Sequence, residues 1–347
     1  MATNEIPNLK TLLGSRRGGG LRGRGRGRGG FGASHEQSEA VRDNAIRGTD
    51  QDAAGSRVSC VELGYLEDPY AKLFSTQPST RRLPLLNRGT YVRTSAIDQL
   101  VDRFLTTSPS SPKQFISLGA GTDTRYFRLR DKYPDAQIVY HEIDFPTNTA
   151  SKLRSIQRHS QLQEKIGDPT MAIGATQTSY YNSRYNIHDL DLRSLATSSS
   201  GNPPPELPNL DPSAPTLILS EMCLIYLQPS TVSSIIQTFL NHYLKLGTPA
   251  SLIVYEPILP HDAFGRTMVS NLSTRSIQLP TLTAYPELGD QRTRLRQYGL
   301  VNGCKTADTD FIWRRWVSEE EKERVASLEM LDELEELELL LRHYCVA

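Results

Sequence analysis

Beyond about residue 50, short runs of β-branched and apolar residues alternate with longer stretches whose apolar residues recur every three or four positions. Such alternation is typical of a parallel sheet wrapped by helices, because its strands are buried on both faces and its helices on one. The clearest predicted strands are "QFISLGAG" (114–121), "QIVYHEID" (137–144), "TLILSEMCLIYL" (216–227) and "SLIVYEP" (251–257). The sequence therefore predicts a doubly wound α/β fold.

Two helical segments accompany the predicted sheet. "TSAIDQLVDRFL" (94–105) predicts a helix before the first strand, with one face formed by Ile97, Leu100, Val101, Phe104 and Leu105. Near the other end, "SEEE" (318–321) has the spacing of a capping box and leads into a predicted C-terminal helix that reaches Cys345. The apolar stripe of this helix consists of Val325, Leu328, Leu331, Leu334, Leu337 and Leu341. Its many acidic residues then form one solvated face rather than a cation-binding site.

The chain divides by composition into a tail, residues 1–45, and a single domain, residues 46–347. Residues 14–32, "GSRRGGGLRGRGRGRGGFG", are almost entirely glycine and arginine and carry too little apolar surface to offset the entropy of ordering. We expect this tail to be disordered. Arg-Gly tracts also bind RNA, but base stacking needs interleaved aromatics and this tract has only Phe31. RNA binding through the tail stays an alternative to a solvated or targeting tail.

Charge and cysteine usage bear on the compartment. The 39 basic and 39 acidic residues balance, so the average surface favours neither a polyanion nor a membrane as partner. Four widely spaced cysteines suit a reducing compartment. The most apolar stretch, residues 217–227, contains Glu221 and is well short of the ~20 residues of a membrane span, and the N-terminus has no apolar signal-peptide core. We expect a soluble cytoplasmic protein, with a nuclear location as an alternative.

The stretch "ISLGAGTDT" (116–124) places Gly119 and Gly121 at the end of the first strand, where doubly wound sheets bind their ligands. Glycine there lets a nucleoside lie directly on the backbone. A dinucleotide fingerprint would need glycine or alanine where Thr124 stands, and Asp123 would lie beside the pyrophosphate. The turn therefore favours a nucleoside ligand without phosphates.

Two carboxylates and an arginine extend this interpretation. Asp144 ends the second predicted strand, where a carboxylate accepts hydrogen bonds from a ribose diol, although a capping role is the simpler alternative. Glu221 lies in the strongest apolar run, and a buried acid needs a cationic partner. An adenosine without phosphates and with a cationic amino-acid end is S-adenosylmethionine. Its carboxylate needs a cation, and either Arg88 or Arg93 could supply one, although arginines are also common on surfaces.

Together these segments resemble the leucine carboxyl methyltransferase family over roughly residues 46–347. The matching stretches are "RGTDQDA" (47–53), "GYLEDPYAKLF" (64–74), "PLLNRGTYVRT" (84–94), "SLGAGTDTRYFRL" (117–129), "EIDFP" (142–146), "DLRSL" (191–195), "LILSEMCLIYL" (217–227) and "SLEMLDELEELELLLRHYC" (327–345). The order of Asn-Arg-Gly, Gly-Ala-Gly-x-Asp-Thr and Asp-Phe-Pro is specific, whereas any one motif alone is weak.

The resemblance implies a class I S-adenosylmethionine-dependent methyltransferase fold with added helices, including an N-terminal helical lid. It implies cofactor contacts for Arg57 and Arg93 at the methionyl carboxylate, Gly119 in the turn, Asp144 at the ribose, Asp191 and Leu192 at the adenine, and Glu221 at the methionyl end. Arg57 stands where the family often has lysine. Tyr226 matches a family tyrosine at the site of methyl transfer and is the predicted catalytic residue.

The resemblance also implies a partner: the catalytic subunit of phosphatase 2A, whose C-terminal leucine is methylated on its α-carboxylate to regulate holoenzyme assembly, by a monomeric enzyme. A second branch of the family modifies a carboxyl group on a transfer RNA base, but it carries an additional propeller-like domain, and this chain has no such repeats. The reaction needs no general base, because a terminal carboxylate with a pKa near ~3.5 is already ionised. The seven histidines show no metal-ligand spacing, so no metal is expected.

Overall fold

The computed structural model of the chain describes residues 31–108, 111–167, 176–196 and 203–347, with side chains from residue 39 onward. Within these residues the strands form one eight-stranded sheet. The strands are β1 (Lys113–Leu118), β2 (Ile138–Asp144), β3 (Tyr180–Tyr181), β4 (Tyr185–Asp189), β5 (Thr216–Glu221), β6 (Ala250–Pro257), β7 (Ala307–Asp308) and β8 (Tyr344–Val346). Their spatial order is β3-β4-β2-β1-β5-β6-β8-β7.

The strand order reverses beside β1. The chain first builds one side of the sheet with β2 and β4, then returns to the other side of β1 with β5 and β6, and these five strands are parallel. The carboxyl ends of β1 and β5 therefore flank the switch point at which open α/β sheets bind ligands. The short β8 runs antiparallel to both β6 and β7 and joins β7 to the sheet.

Helices cover both faces of this sheet. They are α1 (Phe31–Glu62), α2 (Ala71–Phe74), α3 (Pro84–Thr106), α4 (Arg125–Lys132), α5 (Pro146–Arg158), α6 (Ser160–Ile166), α7 (Pro229–Thr238), α8 (Ala263–Thr274), α9 (Pro280–Ala284), α10 (Leu288–Gln297), α11 (Thr309–Trp316), α12 (Glu319–Leu328) and α13 (Leu334–Arg342). A π-helical turn, Phe239–Tyr243, continues α7, and 3-10 turns form at Leu192–Leu195 and Leu224–Tyr226. No helix among the described residues is long and apolar enough to cross a membrane.

Successive residues of β1 enter different halves of the core. Phe115 packs in the cluster that includes Ile97 and Val101 of α3, whereas Ile116 packs with Ile235 of α7 on the other face. All six residues of β1 are buried for this reason, as is typical of a strand in a parallel sheet with helices on both faces. The predicted α/β fold, a doubly wound sheet with added helices, is confirmed.

Two predicted boundaries are wrong. The third predicted strand, 216–227, ends at Glu221, because Met222 has a positive φ of 55° and the chain then forms a 3-10 turn. The helix predicted for 94–105 begins ten residues earlier, with Pro84 at its first position, where a missing N–H costs nothing. Its predicted apolar face does pack into the core.

The predicted C-terminal helix is two helices rather than one. Ser318 caps α12 as predicted, since its hydroxyl accepts a hydrogen bond from the N–H of Glu321 at 3.2 Å. The chain then leaves the helix at Glu329, which is extended and buried and accepts hydrogen bonds from Asn87 at 2.7 Å and Arg81 at 2.6 Å. Leu334, in the predicted apolar stripe, is 55% exposed at the start of α13. The last residues form β8 instead of helix.

The predicted division between tail and domain, at residue 45, falls within α1. Residues 1–30, which include most of the Arg-Gly tract, lie outside the described residues. Helix α1 continues to Glu62 and crosses the carboxyl end of the sheet, where its second half lines the cavity described below.

Candidate functional site

A cavity of about 640 Å³ opens at the carboxyl ends of β1, β2 and β5. Helix α1 forms one of its walls and α8 another. Its volume is in the usual range for sites that bind cofactors. All eight residues predicted for the site line it: Arg57, Arg93, Gly119, Asp144, Asp191, Leu192, Glu221 and Tyr226. Their individual roles stay predictions.

The turn after β1 requires its glycines. Gly119 and Gly121 have positive φ angles of 62° and 44°, which favour glycine. A Cβ atom on Gly119 would lie 2.5 Å from Sγ of Cys223, and one on Gly121 would collide with the carboxylate of Asp50. Both positions therefore need glycine for the backbone conformation and for the space around it.

Helix α1 is attached to this turn by Asp50. Its Oδ1 atom accepts hydrogen bonds from the backbone N–H of Thr122 at 2.7 Å and from the Thr122 hydroxyl at 2.8 Å. Further along the same helix, Arg57 donates to the hydroxyl of Thr124 at 2.9 Å and lies 3.4 Å from Asp123. The wall that α1 contributes is thus positioned by the residues that follow the glycines.

Asp144, the last residue of β2, faces the same turn. Its two carboxylate oxygens accept hydrogen bonds from the N–H groups of Gly121 and Phe145, both at 2.7 Å, and Asn148 donates to it at 3.0 Å. Burial nevertheless raises the pKa of Asp144 to about 6, against the effect of these donors, and the nearby Asp50 adds to the rise. Oδ1 already accepts two of these hydrogen bonds, from Phe145 and Asn148, whereas Oδ2 accepts the one from Gly121 and keeps acceptor capacity for a further donor such as a ribose hydroxyl.

The loop after β4 forms another side of the cavity. Asp191 caps the 3-10 turn by accepting a hydrogen bond from the N–H of Arg193 at 2.9 Å, and Leu192 is buried beside it. Arg193 in turn reaches Glu39 at 2.8 Å and Asp43 at 2.6 Å on α1. This loop and α1 are therefore held together by ion pairs at the mouth of the cavity.

An ion-pair network lies at the end of β5. Glu221 accepts a hydrogen bond from Nε of Arg93 at 2.5 Å on one oxygen and from Nη2 of Arg125 at 3.2 Å on the other. Burial favours the protonated form of Glu221, but the two guanidinium groups outweigh it and lower its pKa. Arg93 also lies over the ring of Tyr255, 4.9 Å from its centroid. Glu221 is therefore an ionised carboxylate on the cavity wall.

The structure separates the two candidate arginines of α3. Arg93 lines the cavity, whereas Arg88 is buried and donates to the backbone carbonyl of Glu329 at 3.0 Å. Five residues along a helix correspond to a rotation of about 140°, so the two side chains point in different directions. Arg93 is the arginine that can meet a ligand here.

Tyr226 closes the 3-10 turn that follows β5 and lines the cavity near Glu221. Its ring packs against the apolar cluster that includes Met268, with Met222 and Leu272 beside it. Burial raises the pKa of the Tyr226 hydroxyl to about 12, so this group carries its proton at neutral pH and can donate a hydrogen bond into the cavity.

Asp50 and Arg125 are residues of this site to which sequence reasoning assigned no role. Both lie in stretches that match the family, "RGTDQDA" and "SLGAGTDTRYFRL", so a signal was present. Their partners could not be inferred, because Thr122 is 72 residues from Asp50 and Glu221 is 96 residues from Arg125. Among the residues with described side chains, no group of three or more histidine, cysteine or acidic side chains is arranged to hold a metal ion.

Comparison with known proteins adds to this geometry. Residues 45–240 match the leucine carboxyl methyltransferase family. The chain is 50% identical over 376 residues to Leucine carboxyl methyltransferase 1 of Aspergillus fumigatus, covering 100% of this chain and 94% of that protein. The proteins of the same name from Emericella nidulans and Schizosaccharomyces pombe are 49% and 40% identical, covering 100% and 87% of this chain and 94% and 93% of their own lengths.

Solved structures show a more distant likeness. An O-methyltransferase family protein from Burkholderia thailandensis has a TM-score of 0.35 at 15% identity, covering 62% of this chain and 54% of that one. A structure described as PigF with SAH has a TM-score of 0.38 at 16% identity, covering 63% and 55%. The family assignment rests on the match over residues 45–240 and on the sequence relatives. The chain therefore belongs to the leucine carboxyl methyltransferase family and is an S-adenosylmethionine-dependent methyltransferase.

Proposed function

We propose that this protein methylates the α-carboxylate of the C-terminal leucine of the phosphatase 2A catalytic subunit, with S-adenosylmethionine as methyl donor. Family membership supports carboxyl methylation of a leucine. The observation that carries the proposal is the single cavity that brings the glycine turn, Asp144, the Arg93–Glu221 pair and Tyr226 together. The phosphatase as the partner, and the regulation of its holoenzyme assembly, rest on the sequence resemblance.

The residues of the cavity fit the methyl donor from one end to the other. We propose that Leu192 and Asp191 frame the adenine, that Asp144 accepts the ribose hydroxyls, and that Gly119 lets the nucleoside lie on the turn. At the other end, Arg93 can pair with the methionyl carboxylate, because among the residues with described side chains only Glu221 accepts a hydrogen bond from its guanidinium. Arg57 lines the same cavity and is proposed to assist it.

S-adenosylmethionine supplies the methyl group on a sulfonium, and the protein supplies position and dehydration. The substrate carboxylate is ionised at neutral pH, so no side chain has to remove a proton. Combining an anion with a cation destroys charge, so excluding water and holding the two groups in line favours the reaction, and such positioning is worth ~7 to 11 kcal/mol. We propose that the Tyr226 hydroxyl orients the carboxylate.

An apolar wall is proposed to receive the leucyl side chain. Met222, Met268, Leu272 and Tyr344 line the cavity and belong with Tyr226 to one apolar cluster. A leucine side chain in contact with this wall would place its own carboxylate next to Tyr226. Four cysteines without a disulfide suit a reducing compartment, and we propose that the protein acts in the cytoplasm as a monomer.

The direct test is methyl transfer from tritiated S-adenosylmethionine to the purified phosphatase catalytic subunit. We expect base-labile label, because a methyl ester hydrolyses in alkali whereas a methylated amine does not. The matched control is the same subunit without its terminal leucine, which should stay unlabelled. Label on both forms would contradict the proposed site of methylation, and binding of the subunit without any ester would indicate a scaffold instead of an enzyme.

A further inference from the structure

Arg125, the first residue of α4, contacts three carboxylates at once. Its Nε lies 2.9 Å from Asp98, its Nη1 2.5 Å from Asp123 and its Nη2 3.2 Å from Glu221. The side chain is 1% exposed. Asp123 and Glu221 line the cavity, whereas Arg125 lies behind them and does not. A buried guanidinium thus joins two acids that both face the space in which a ligand would lie.

Each of these acids has a second arginine on the cavity side. Arg57 lies 3.4 Å from Asp123, and Arg93 lies 2.5 Å from Glu221. Positive and negative groups therefore alternate in this part of the cavity lining. An α-amino acid end carries an ammonium and a carboxylate on the same carbon atom, and such a lining offers a partner of opposite charge to each.

We propose that Asp123 and Glu221 together receive the α-ammonium of the methyl donor, and that Arg125 is the positioning residue that sets the distance between these two carboxylates. This inference rests on the proposed placement of the methyl donor in the cavity. The inference adds Asp123 to the residues proposed to bind the ligand, beside Glu221. It assigns Arg125 the role of positioning both carboxylates. The ammonium has three N–H donors. Oδ2 of Asp123 and Oε2 of Glu221 each accept one hydrogen bond, from Arg125, and each keeps capacity to accept another.

The physical reason for Arg125 is the repulsion between its acidic neighbours. Two buried carboxylates that face one site repel each other, and without a compensating charge one of them takes up a proton and loses its attraction for an ammonium. Arg125 supplies that charge from behind, while Arg57, Arg93, Lys152 and Arg128 act from other directions. The pKa values of both acids are lowered despite their burial.

The test compares two ligands that differ in the amino group alone. S-adenosylhomocysteine and its analogue with hydrogen in place of the α-amino group are titrated calorimetrically into the full chain. Hydrogen bonds that involve a charged group make the wild type prefer the amino-bearing ligand by about 10- to 100-fold. Arg125→Lys keeps one positive charge but replaces three nitrogen atoms, each paired with a different carboxylate, by a single one, so we expect the preference to fall below about fivefold.

The matched control is Arg128→Lys on the same helix. Arg128 also pairs with Asp98 but does not contact Asp123 or Glu221, and the preference should stay at the wild-type value. Asp123→Asn, which keeps the shape and removes the charge, should narrow the preference as Arg125→Lys does, and it decides the question if Arg125→Lys does not fold.

An unchanged preference in Asp123→Asn, or an equal loss of affinity for both ligands in Arg125→Lys, would overturn the inference, since Arg125 would then act on the fold alone. Neither titration contains a methyl acceptor. A failure of the phosphatase assay therefore leaves this measurement intact. If the wild type forms the ester but binds both ligands equally well, this inference is rejected and the proposed function stands.

Discussion

Asp50 of α1 holds the backbone and the hydroxyl of Thr122 with one carboxylate oxygen, at 2.7 and 2.8 Å. This contact attaches a helix from the start of the described chain to the turn on which the nucleoside is proposed to lie. A cavity wall and a cavity floor that are far apart in sequence are thereby fixed relative to each other.

Replacing Asp50 with alanine should weaken binding of S-adenosylhomocysteine by about tenfold. Hydrogen bonds to a charged acceptor contribute about 1.5 to 3 kcal/mol, and part of that free energy holds the turn in its binding conformation. The matched control is Glu62→Ala at the end of the same helix, which removes an ion pair with the exposed Lys72 away from the cavity and should change the dissociation constant less than twofold. Calorimetric titration measures both, and equal effects of the two substitutions would contradict the role of Asp50.

Gly119→Ala should abolish or strongly weaken binding of S-adenosylhomocysteine. The added methyl group meets Sγ of Cys223, and both residues line the cavity. Gly247→Ala is the matched control, because Gly247 also has a positive φ, 88°, but has nothing within 4 Å of the added atom. Both variants should lose about 1 to 2 kcal/mol of unfolding free energy from the backbone conformation. Retained affinity in Gly119→Ala would show that the ligand does not lie on this turn.

Binding of S-adenosylhomocysteine should weaken as the pH falls through about 6, the pKa to which burial raises Asp144. The ionised carboxylate is the form proposed to accept hydrogen bonds from the ribose, so the dissociation constant should rise by up to about tenfold per pH unit below that value. The folding stability of the free protein changes with pH in the opposite direction to the binding affinity. A pKa raised from 3.8 contributes stability that is complete below pH 3.8 and lost as the pH rises through 6.

Titrations between pH 5 and pH 7.5 separate Asp144 from another buried acid with a raised pKa. Asp144→Asn should bind weakly and lose the pH dependence. Glu142, whose pKa burial raises to about 7, does not line the cavity, so Glu142→Gln should keep the wild-type profile. If Glu142→Gln instead loses the pH dependence of binding, the titrating group is Glu142 in the interior of the sheet and not Asp144.

Tyr226→Phe should lower kcat/KM for the phosphatase substrate by about 10- to 100-fold while leaving the affinity for S-adenosylhomocysteine unchanged. The reason is the loss of one hydrogen bond to a charged carboxylate. Tyr243→Phe is the control, because burial raises the pKa of Tyr243 to about 12 as well, but its hydroxyl donates to the carbonyl of Pro205 away from the cavity. If Tyr226→Phe changes the affinity for S-adenosylhomocysteine, the Tyr226 hydroxyl contacts the cofactor and not the substrate carboxylate.

The strands that carry the site could be predicted because each is buried on both faces. That burial gives β1, β2 and β6 a short apolar stretch each, and it also made Glu221 conspicuous after the apolar residues of β5. The end of β5 could not be predicted, since the apolar run continues past Met222 while the backbone changes direction there. An apolar run indicates which residues are buried, but it does not indicate where the backbone turns within the run.

Contacts between residues far apart in sequence determine where α12 ends and which arginine of α3 faces the cavity, and the local sequence pattern does not show these contacts. The apolar stripe continues past Leu328, but Glu329 is drawn into the interior by Asn87, 242 residues away, and ends the helix. The same limit applies to the site. Spacing left Arg88 and Arg93 as equal candidates, and the packing of α3 against the rest of the fold separates them.

The position of β8 has a consequence for how the molecule opens. This strand of three residues, Tyr344–Val346, is what connects β7 to β6, and its Tyr344 also lines the cavity. Local opening of β8 would release β7 and remove part of the cavity wall in the same event. The amides of these two strands should therefore exchange with deuterium as one cooperative unit, and ligand bound against Tyr344 should slow both.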